Sequence, residues 1–322
     1  MKEKLLKDLY SKRGYTKEKT EEAFFYVSEF EEYLKKKQKD WKQVDTEDVE
    51  NYLSYLIENK MNSLDRILAL ARYFHLINKK EIYIYFTSIL GGLGVVEKIQ
   101  KRCEDLFDKK EAKSIFDSLP QIPLGTSIKG YPQLTSKLMD NLAKRFAPTE
   151  YRQVLTGNNH SIPKKAFDEE KLLYEKSDSL EQYLEERHKR KVEVLQNCAD
   201  EGKVWFEQEI NQDVVDFVKS NQEILSAVKK NNKLYMTKIP YAPVQYLKEK
   251  DPIKKKYYGC HCPFAREAIL DNEISINKDW CYCSAGFAKY PFEIILGKKL
   301  KVKVLKSILA GDDHCRFEIE LD

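Results

Sequence analysis

No apolar run in the sequence is clearly able to cross a bilayer. The longest, near residues 82–96, is broken by Thr87 and Ser88 and then by Gly91, Gly92 and Gly94. It falls short of the roughly 20 apolar residues that a spanning helix needs. A charge of one sign is also lacking: 56 Lys and Arg stand against 52 Asp and Glu, a net charge of only +4. A strongly basic chain would point to nucleic acid, and this balance does not demand such a partner. The charged start, residues 1–8, has no apolar core of the signal-peptide kind, so no secretory signal is expected. The expected compartment is the cytoplasm. Thiols stay reduced there, so the seven cysteines are not read as a disulfide framework.

What is present is enough to build cores. Hydrophobic residues make up 42% and aromatics 12%, while the 34% of charged residues implies a densely charged surface. A chain of 322 residues suggests two or three domains. We divide it into a helical bundle over 1–100, a helical connector with a Pro/Gly-rich loop over 101–155, and an α+β domain over 156–322. The expected fold class is α+β overall, an all-α bundle followed by a domain with an antiparallel sheet.

Helical spacing is clear in the first part. Phe24, Val27, Phe30 and Leu34 recur on one face, as do Val49, Leu53, Leu56 and Ile57, then Leu64, Ile67, Leu68, Ala71, Phe74 and His75. Thr16, Asp45 or Thr46, and Ser63 stand where helices should start. Three stretches carry a family resemblance: residues 14–20 (Gly-Tyr-Thr-Lys-Glu-Lys-Thr), residues 48–56 (Asp-Val-Glu-Asn-Tyr-Leu-Ser-Tyr-Leu) and residues 63–74, which open with Ser-Leu-Asp-Arg-Ile-Leu. Together they resemble the SAM-like N-terminal core-binding domain of phage-integrase tyrosine recombinases. In that family the bundle clamps DNA and serves a separate catalytic domain with a His-x-x-Arg element. None of His75, His160, His188, His261 and His314 has Arg three residues on, so recombination is not expected. Lys35, Lys36, Lys37, Lys42 and Arg66 read either as DNA contacts or as a solvated basic face.

Beyond the bundle, the Pro and Gly residues of 119–133 mark a loop, and helical stretches follow near 133–155 and 168–202. Between them His160 sits in a polar loop, as a pocket-lining residue or a structural one. From about 203 the pattern changes. Residues 212–230 look helical, and 233–239 and 256–260 look β-like. Pro263 suits the first turn of a helix through Leu270. A helix over about 284–296 precedes two alternating segments joined at residues 311–313, an antiparallel hairpin.

Five of the cysteines fall in the last 63 residues, as Cys260-His-Cys262, Cys281-Tyr-Cys283 and Cys315. Two residues apart on extended chain point the same way, so each pair can offer both sulfurs to one centre. Three readings follow. Cys260, Cys262, Cys281, Cys283 and Cys315 could hold a metal, most plausibly zinc, which takes four N or S ligands. Cys262 could be a reactive thiolate, its pKa lowered at a helix start. Or the thiols are small buried core groups.

Residues 281–287 (Cys-Tyr-Cys-Ser-Ala-Gly-Phe) and 305–319, with Gly311-Asp-Asp-His-Cys315-Arg-Phe-Glu-Ile319, resemble the end of 4-vinyl reductase domains and of L-2-amino-thiazoline-4-carboxylate hydrolase-like proteins. The resemblance implies an α+β fold that binds a small molecule. It also implies a structural zinc at positions that are Cys281, Val304, Ser307 and Cys315 here, where only the two cysteines are ligands. Hydrolysis of a cyclic C–N bond, as in the thiazoline relatives, needs a nucleophile or activated water and an acid or base. The candidates are Cys262 as nucleophile, His261 as base, and Glu207 or Glu209 as acid or base. Arg266 could bind a carboxylate bidentately. Trp205, Tyr258 and Trp280 are candidate walls of the ligand site, with Phe206 and Tyr257 beside them. The expected function is small-molecule binding beside a Cys/His cluster; a thiazoline-like hydrolase and a DNA-associated, ligand-responsive regulator are the alternatives. Expected partners are a small organic ligand, DNA at the bundle and a second copy of the chain, with no membrane.

Overall fold

Helix starts in the first ninety residues coincide with side chains that can satisfy orphaned backbone N–H groups. In the computed structural model, which describes residues 2–271 and 273–322, Thr16 caps α2 by accepting from the Lys19 N–H, and Ser63 caps α4 through Arg66 N–H. Asp45 and Asp48 form a reciprocal capping box on α3. The helices are α1 (Glu3–Lys12), α2 (Lys17–Lys36), α3 (Thr46–Glu58), α4 (Leu64–Leu76) and α5 (Lys80–Leu90). Their apolar stripes meet in one core built on Val27, Phe30, Leu34, Leu53, Leu70, Phe74 and Phe86. Residues 121–130 also belong to this unit, where the Asn62 side chain donates to the Leu124 carbonyl at 2.9 Å.

The second unit comprises 92–120 and 131–322. The residues read as a connector therefore divide: 101–120 and 131–155 lie in the second unit, and 121–130 in the first. The second unit opens with α6 (Val95–Leu106), α7 (Lys109–Asp117), α8 (Tyr131–Arg145) and α9 (Pro148–Leu155). Then come α10 (Asp168–Glu175), the long α11 (Leu180–Asp200), a short hairpin of β1 (Val204–Trp205) and β2 (Gln208–Glu209), and α12 (Gln212–Lys219). The chain continues through β3 (Val228–Lys230), β4 (Lys233–Thr237), α13 (Pro243–Lys248), α14 (Pro252–Gly259), α15 (Tyr282–Ile295), β5 (Lys301–Lys306) and β6 (Arg316–Glu320). The last strands form an antiparallel sheet in the order β3-β4-β6-β5. The fold is α+β, with the C-terminal hairpin formed as expected.

Alternation sets the faces of that sheet. Leu234 and Ile319 are register partners, and with Leu300 they pack against Tyr183 and Leu184 of α11 and Phe292 and Ile295 of α15. On the other parity Lys233, Tyr235, Glu318, Lys303 and Glu320 link in a charged ladder, with Lys233 to Glu318 at 2.7 Å and Lys303 to Glu320 at 2.6 Å.

Four sequence expectations need correction. Residues 256–260 are not a strand but the end of α14, which Asp251 caps and Pro252 opens. The aromatic pair Tyr257-Tyr258 suggested β, and the capping signal five residues earlier outweighs it. The helix expected from Pro263 to Leu270 is a turn and a short 3-10 segment, Glu267–Ile269. A tertiary contact competes with helix propagation there, since the Phe264 carbonyl accepts from the buried Thr135 hydroxyl at 2.9 Å. The helix expected over 212–230 stops at Lys219, and the chain turns through Asn221, whose side chain takes the Glu223 N–H. One stretch, Lys80–Leu106, is long and apolar enough to cross a membrane by length and composition, against the reading of a shorter interrupted run. It comprises α5 and α6, separated by Gly94 in the left-handed region at φ +73. Ile82, Phe86 and Ile89 are buried on α5; Val95, Ile99 and Cys103 are buried on α6.

Candidate functional site

Segments distant in sequence bring the C-terminal cysteines together. Cys260 and Cys262 leave the end of α14. Cys281 ends a 3-10 turn, Cys283 lies in the first turn of α15, and Cys315 enters β6. The Cys315 carbonyl accepts from the Lys238 N–H at 2.9 Å, which ties the exit of β4 to the entry of β6. Charge on Cys262 would oppose ionisation of Cys260, Cys281, Cys283 and Cys315 alike, so these sulfurs share one electrostatic neighbourhood.

These are thiols, not thiolates. Burial pushes Cys260 up to about 12, and Cys283 likewise. Burial also raises Cys281 well above its ordinary value, and raises Cys262 and Cys315. The lowered pKa expected for Cys262 at a helix start is therefore not found. No α-helix begins there, and desolvation outweighs the hydrogen bond that Trp280 Nε1 donates to its Sγ at 3.1 Å. Among the described residues no group of three or more His, Cys, Asp or Glu is placed to hold a metal ion.

His261 does not face a sulfur as a base. Its Nε2 lies 2.5 Å from the Ile239 carbonyl, which can only accept, so Nε2 carries a proton. Its Nδ1 lies 3.4 Å from Glu207 Oε1. Burial and the nearby Lys238 lower the His261 pKa, despite Glu207. Burial opposes ionisation of Glu207, yet His261, Lys238 and Arg266 together hold its carboxyl below the usual range. A proton arriving at Nδ1 would be shared with Glu207. Glu209 lies in β2 opposite Val204 and takes no part in this pair.

Arg266 is 4% exposed. Its guanidinium stacks 3.8 Å over the Tyr241 ring and 5.5 Å from the Tyr257 ring. Its Nε has no hydrogen-bond partner. The nearest carboxylate, Glu267, is 3.8 Å away and accepts from the Tyr257 hydroxyl instead. Although burial disfavours the cation, Tyr241, Tyr257 and Glu267 keep its pKa raised.

The expected walls divide. Trp280 is 1% exposed, packs edge-on against Phe264 and lies beside Cys262 through its indole hydrogen bond. Trp205 packs instead with the Leu195, Val214 and Val218 cluster. Tyr258 is half-buried beside Tyr257, and its carbonyl accepts from Ala242 N–H. His160 sits edge-on to Phe287, 5.3 Å between ring centres.

Sequence reasoning missed Lys238, Tyr241, Asn159 and Asp279. Lys238 Nζ donates to Ser284 Oγ at 2.9 Å and is a positive neighbour of Cys262, Cys283 and Cys315. Asn159 contacts Cys283 Sγ at 3.6 Å. Asp279 receives Arg152 through both Nε and Nη2, at 2.9 and 3.0 Å, and the Tyr151 hydroxyl at 2.8 Å. That clamp fixes the turn carrying Trp280 and Cys281. Lysine and tyrosine are too frequent in this chain to stand out. The signal available for Lys238 was its place at the end of a β-like run, just before Pro240.

Comparison with known families gives two matches. The model described as "Family of unknown function (DUF6144)" covers residues 140–322. The phage integrase N-terminal SAM-like domain model covers residues 4–81, the region whose sequence resembles that domain. No curated protein and no solved structure matches.

Proposed function

The chain belongs to the DUF6144 family of unknown function, and we propose that its second unit binds a small organic carboxylate beside the thiol cluster. Arg266 carries this reading. A guanidinium buried to 4% exposure, whose Nε has no hydrogen-bond partner and whose ion pair with Glu267 is a loose 3.8 Å, still lacks an acceptor for that donor. A ligand carboxylate would supply it, and the guanidinium fork suits two parallel hydrogen bonds. Lys238 adds a second cation close to the sulfurs, and both cations favour ionisation of Glu207. Tyr241 and Tyr257 offer aromatic surface to the rest of a ligand. The resemblance to thiazoline-carboxylate hydrolases favours a small cyclic carboxylate.

In this reading the protonated thiols form a soft, polarizable lining. A hydrolytic version would route the proton through the Glu207–His261 pair, with ionised Glu207 as base for a water, and would leave Cys262 without a covalent role.

Calorimetric titration with 2-aminothiazoline-4-carboxylate, benzoate and proline, beside decarboxylated 2-aminothiazoline, tests the proposal. At least one carboxylate is expected to bind the wild type, and the decarboxylated analogue at least ten-fold more weakly. Arg266→Gln should abolish binding while Arg266→Lys retains part of it. Absence of binding across the carboxylates up to about 10 mM, or equal binding of the decarboxylated analogue, overturns it.

A second reading rests on the match of residues 4–81 to the phage integrase SAM-like domain: the first unit contacts DNA. Arg66 is not among its contacts, because it is buried, pairs with Glu29 and lies 4.5 Å over the Tyr26 ring. Lys35 is tied to Glu32 at 2.7 Å. Lys36, Lys37 and Lys42 are exposed.

A further inference from the structure

A second group of cations lies on α11. Arg187, Arg190 and Lys191 stand three and four residues apart and so share one helix face. They converge on a single carboxylate, Glu170 of α10. Arg190 Nη2 reaches Oε2 at 2.9 Å, Lys191 Nζ lies 3.3 Å from Oε1, and Arg187 Nε is 3.9 Å from Oε2. The Tyr183 hydroxyl also donates to Oε2, at 2.8 Å. Burial works against Glu170 ionisation, and Arg187, Tyr183, Lys191 and Arg190 outweigh it, so its carboxyl lies below the usual range. Glu170 is thus already ionised and saturated with donors, yet three positive charges face it. Arg187 is only 8% exposed, and its Nε and Nη1 have no hydrogen-bond partner. Its guanidinium also lies 5.1 Å from the Phe292 ring.

Within this group three cations share one carboxylate, a local excess of two positive charges. A carboxylate ligand would cancel one. A phosphate group carries about −1.5 to −2 at neutral pH, with three acceptor oxygens, and cancels both. We propose that Arg187, Arg190 and Lys191 form a binding site for a phosphate group, either inorganic phosphate or a phosphomonoester. Arg190 and Lys191 are each about a third exposed and form the entrance; Arg187 supplies charge from beneath. The site shares no residue with Arg266 and the thiols, so it stands or falls separately from the carboxylate reading.

The test is calorimetric titration of the full chain at low ionic strength with inorganic phosphate and, in a parallel arm, adenosine monophosphate. Binding of both identifies a site for the phosphate group itself; binding of the nucleotide alone identifies a phosphomonoester site. Arg190→Gln/Lys191→Gln is expected to weaken binding at least ten-fold. Glu170→Gln removes the competing carboxylate and is expected to tighten binding several-fold. A merely structural ion network predicts no phosphate binding and no such gain. If Glu170→Gln lowers the melting temperature, the Arg190→Gln/Lys191→Gln protein decides alone. The proposal is overturned if neither phosphate compound binds the wild type up to about 10 mM, or if the double variant binds as tightly as the wild type.

Discussion

Cys260 and Cys283 titrate near 12 in the folded chain, against an ordinary thiol value of 9.0, because burial disfavours the thiolate. The folded state therefore holds protons that the unfolded chain releases. The stabilisation is complete below pH 9 and drains away as pH climbs from 9 toward 12. Thermal melts at rising pH should show a falling midpoint above 9, and Cys260→Ala/Cys283→Ala should flatten that limb; an unchanged slope would refute the assignment. The Trp280 indole donates to Cys262, so Trp280→Phe should cost about 1 kcal/mol in urea denaturation. It should also raise the Cys262 pKa further, read as slower alkylation at fixed pH. Gathering of the cysteines was legible at this scale because five of seven lie near the end of the chain. The protonation state was not. It depends on desolvation by residues such as Phe264 and Trp280, whose burial only the fold determines. Nor could the sequence show that His261 is turned toward Ile239 and Glu207, partners 22 and 54 positions away.

Gly286 lets two elements approach. A Cβ there would sit 2.6 Å from the Thr156 carbonyl carbon and 2.7 Å from the Gly157 oxygen, both backbone atoms that cannot swing aside. Helix α15 can lie against the end of α9 only because its second turn carries no side chain at this point. Gly286→Ala should destabilise the chain by about 1–3 kcal/mol despite the higher helix propensity of Ala. The measurement is a urea midpoint, and a stabilised variant would show that the helices do not meet as described. Helices with caps at Thr16, Asp45 and Ser63 were readable because local hydrogen bonding decides them. The errors came where a distant partner decides. The 263–270 segment resembled a helix start, yet Thr135, more than a hundred residues away, takes the Phe264 carbonyl. The Gly286-Phe287 pair was visible in the sequence; that its glycine serves a helix contact was not.

At the scale of the whole molecule, net charge says little about partners, and local placement says more. Residues 1–91 hold 17 basic and 16 acidic side chains, and several of the lysines are committed. Lys19 pairs with Glu22 and Asp65, Lys39 with Asp45 and Asp48, and Lys79 with the carbonyls of Lys42 and Val44. DNA contact by the SAM-like unit would therefore draw on scattered exposed cations, Lys36, Lys37 and Lys42 at the end of α2 and beyond it together with Lys4, Lys12, Arg13 and Lys60, not on a general basic field. The salt dependence should be correspondingly shallow, since each phosphate neutralised contributes about −0.9 to the slope of log K against log salt. Fluorescence anisotropy with a short duplex should give binding near 50 mM salt that weakens toward 200 mM with a slope of about −3. Lys36→Gln/Lys37→Gln/Lys42→Gln should remove most of both the affinity and the slope. A slope far steeper than this would place the contact elsewhere on the chain, and no binding by the wild type at 50 mM salt would remove DNA from the list of partners.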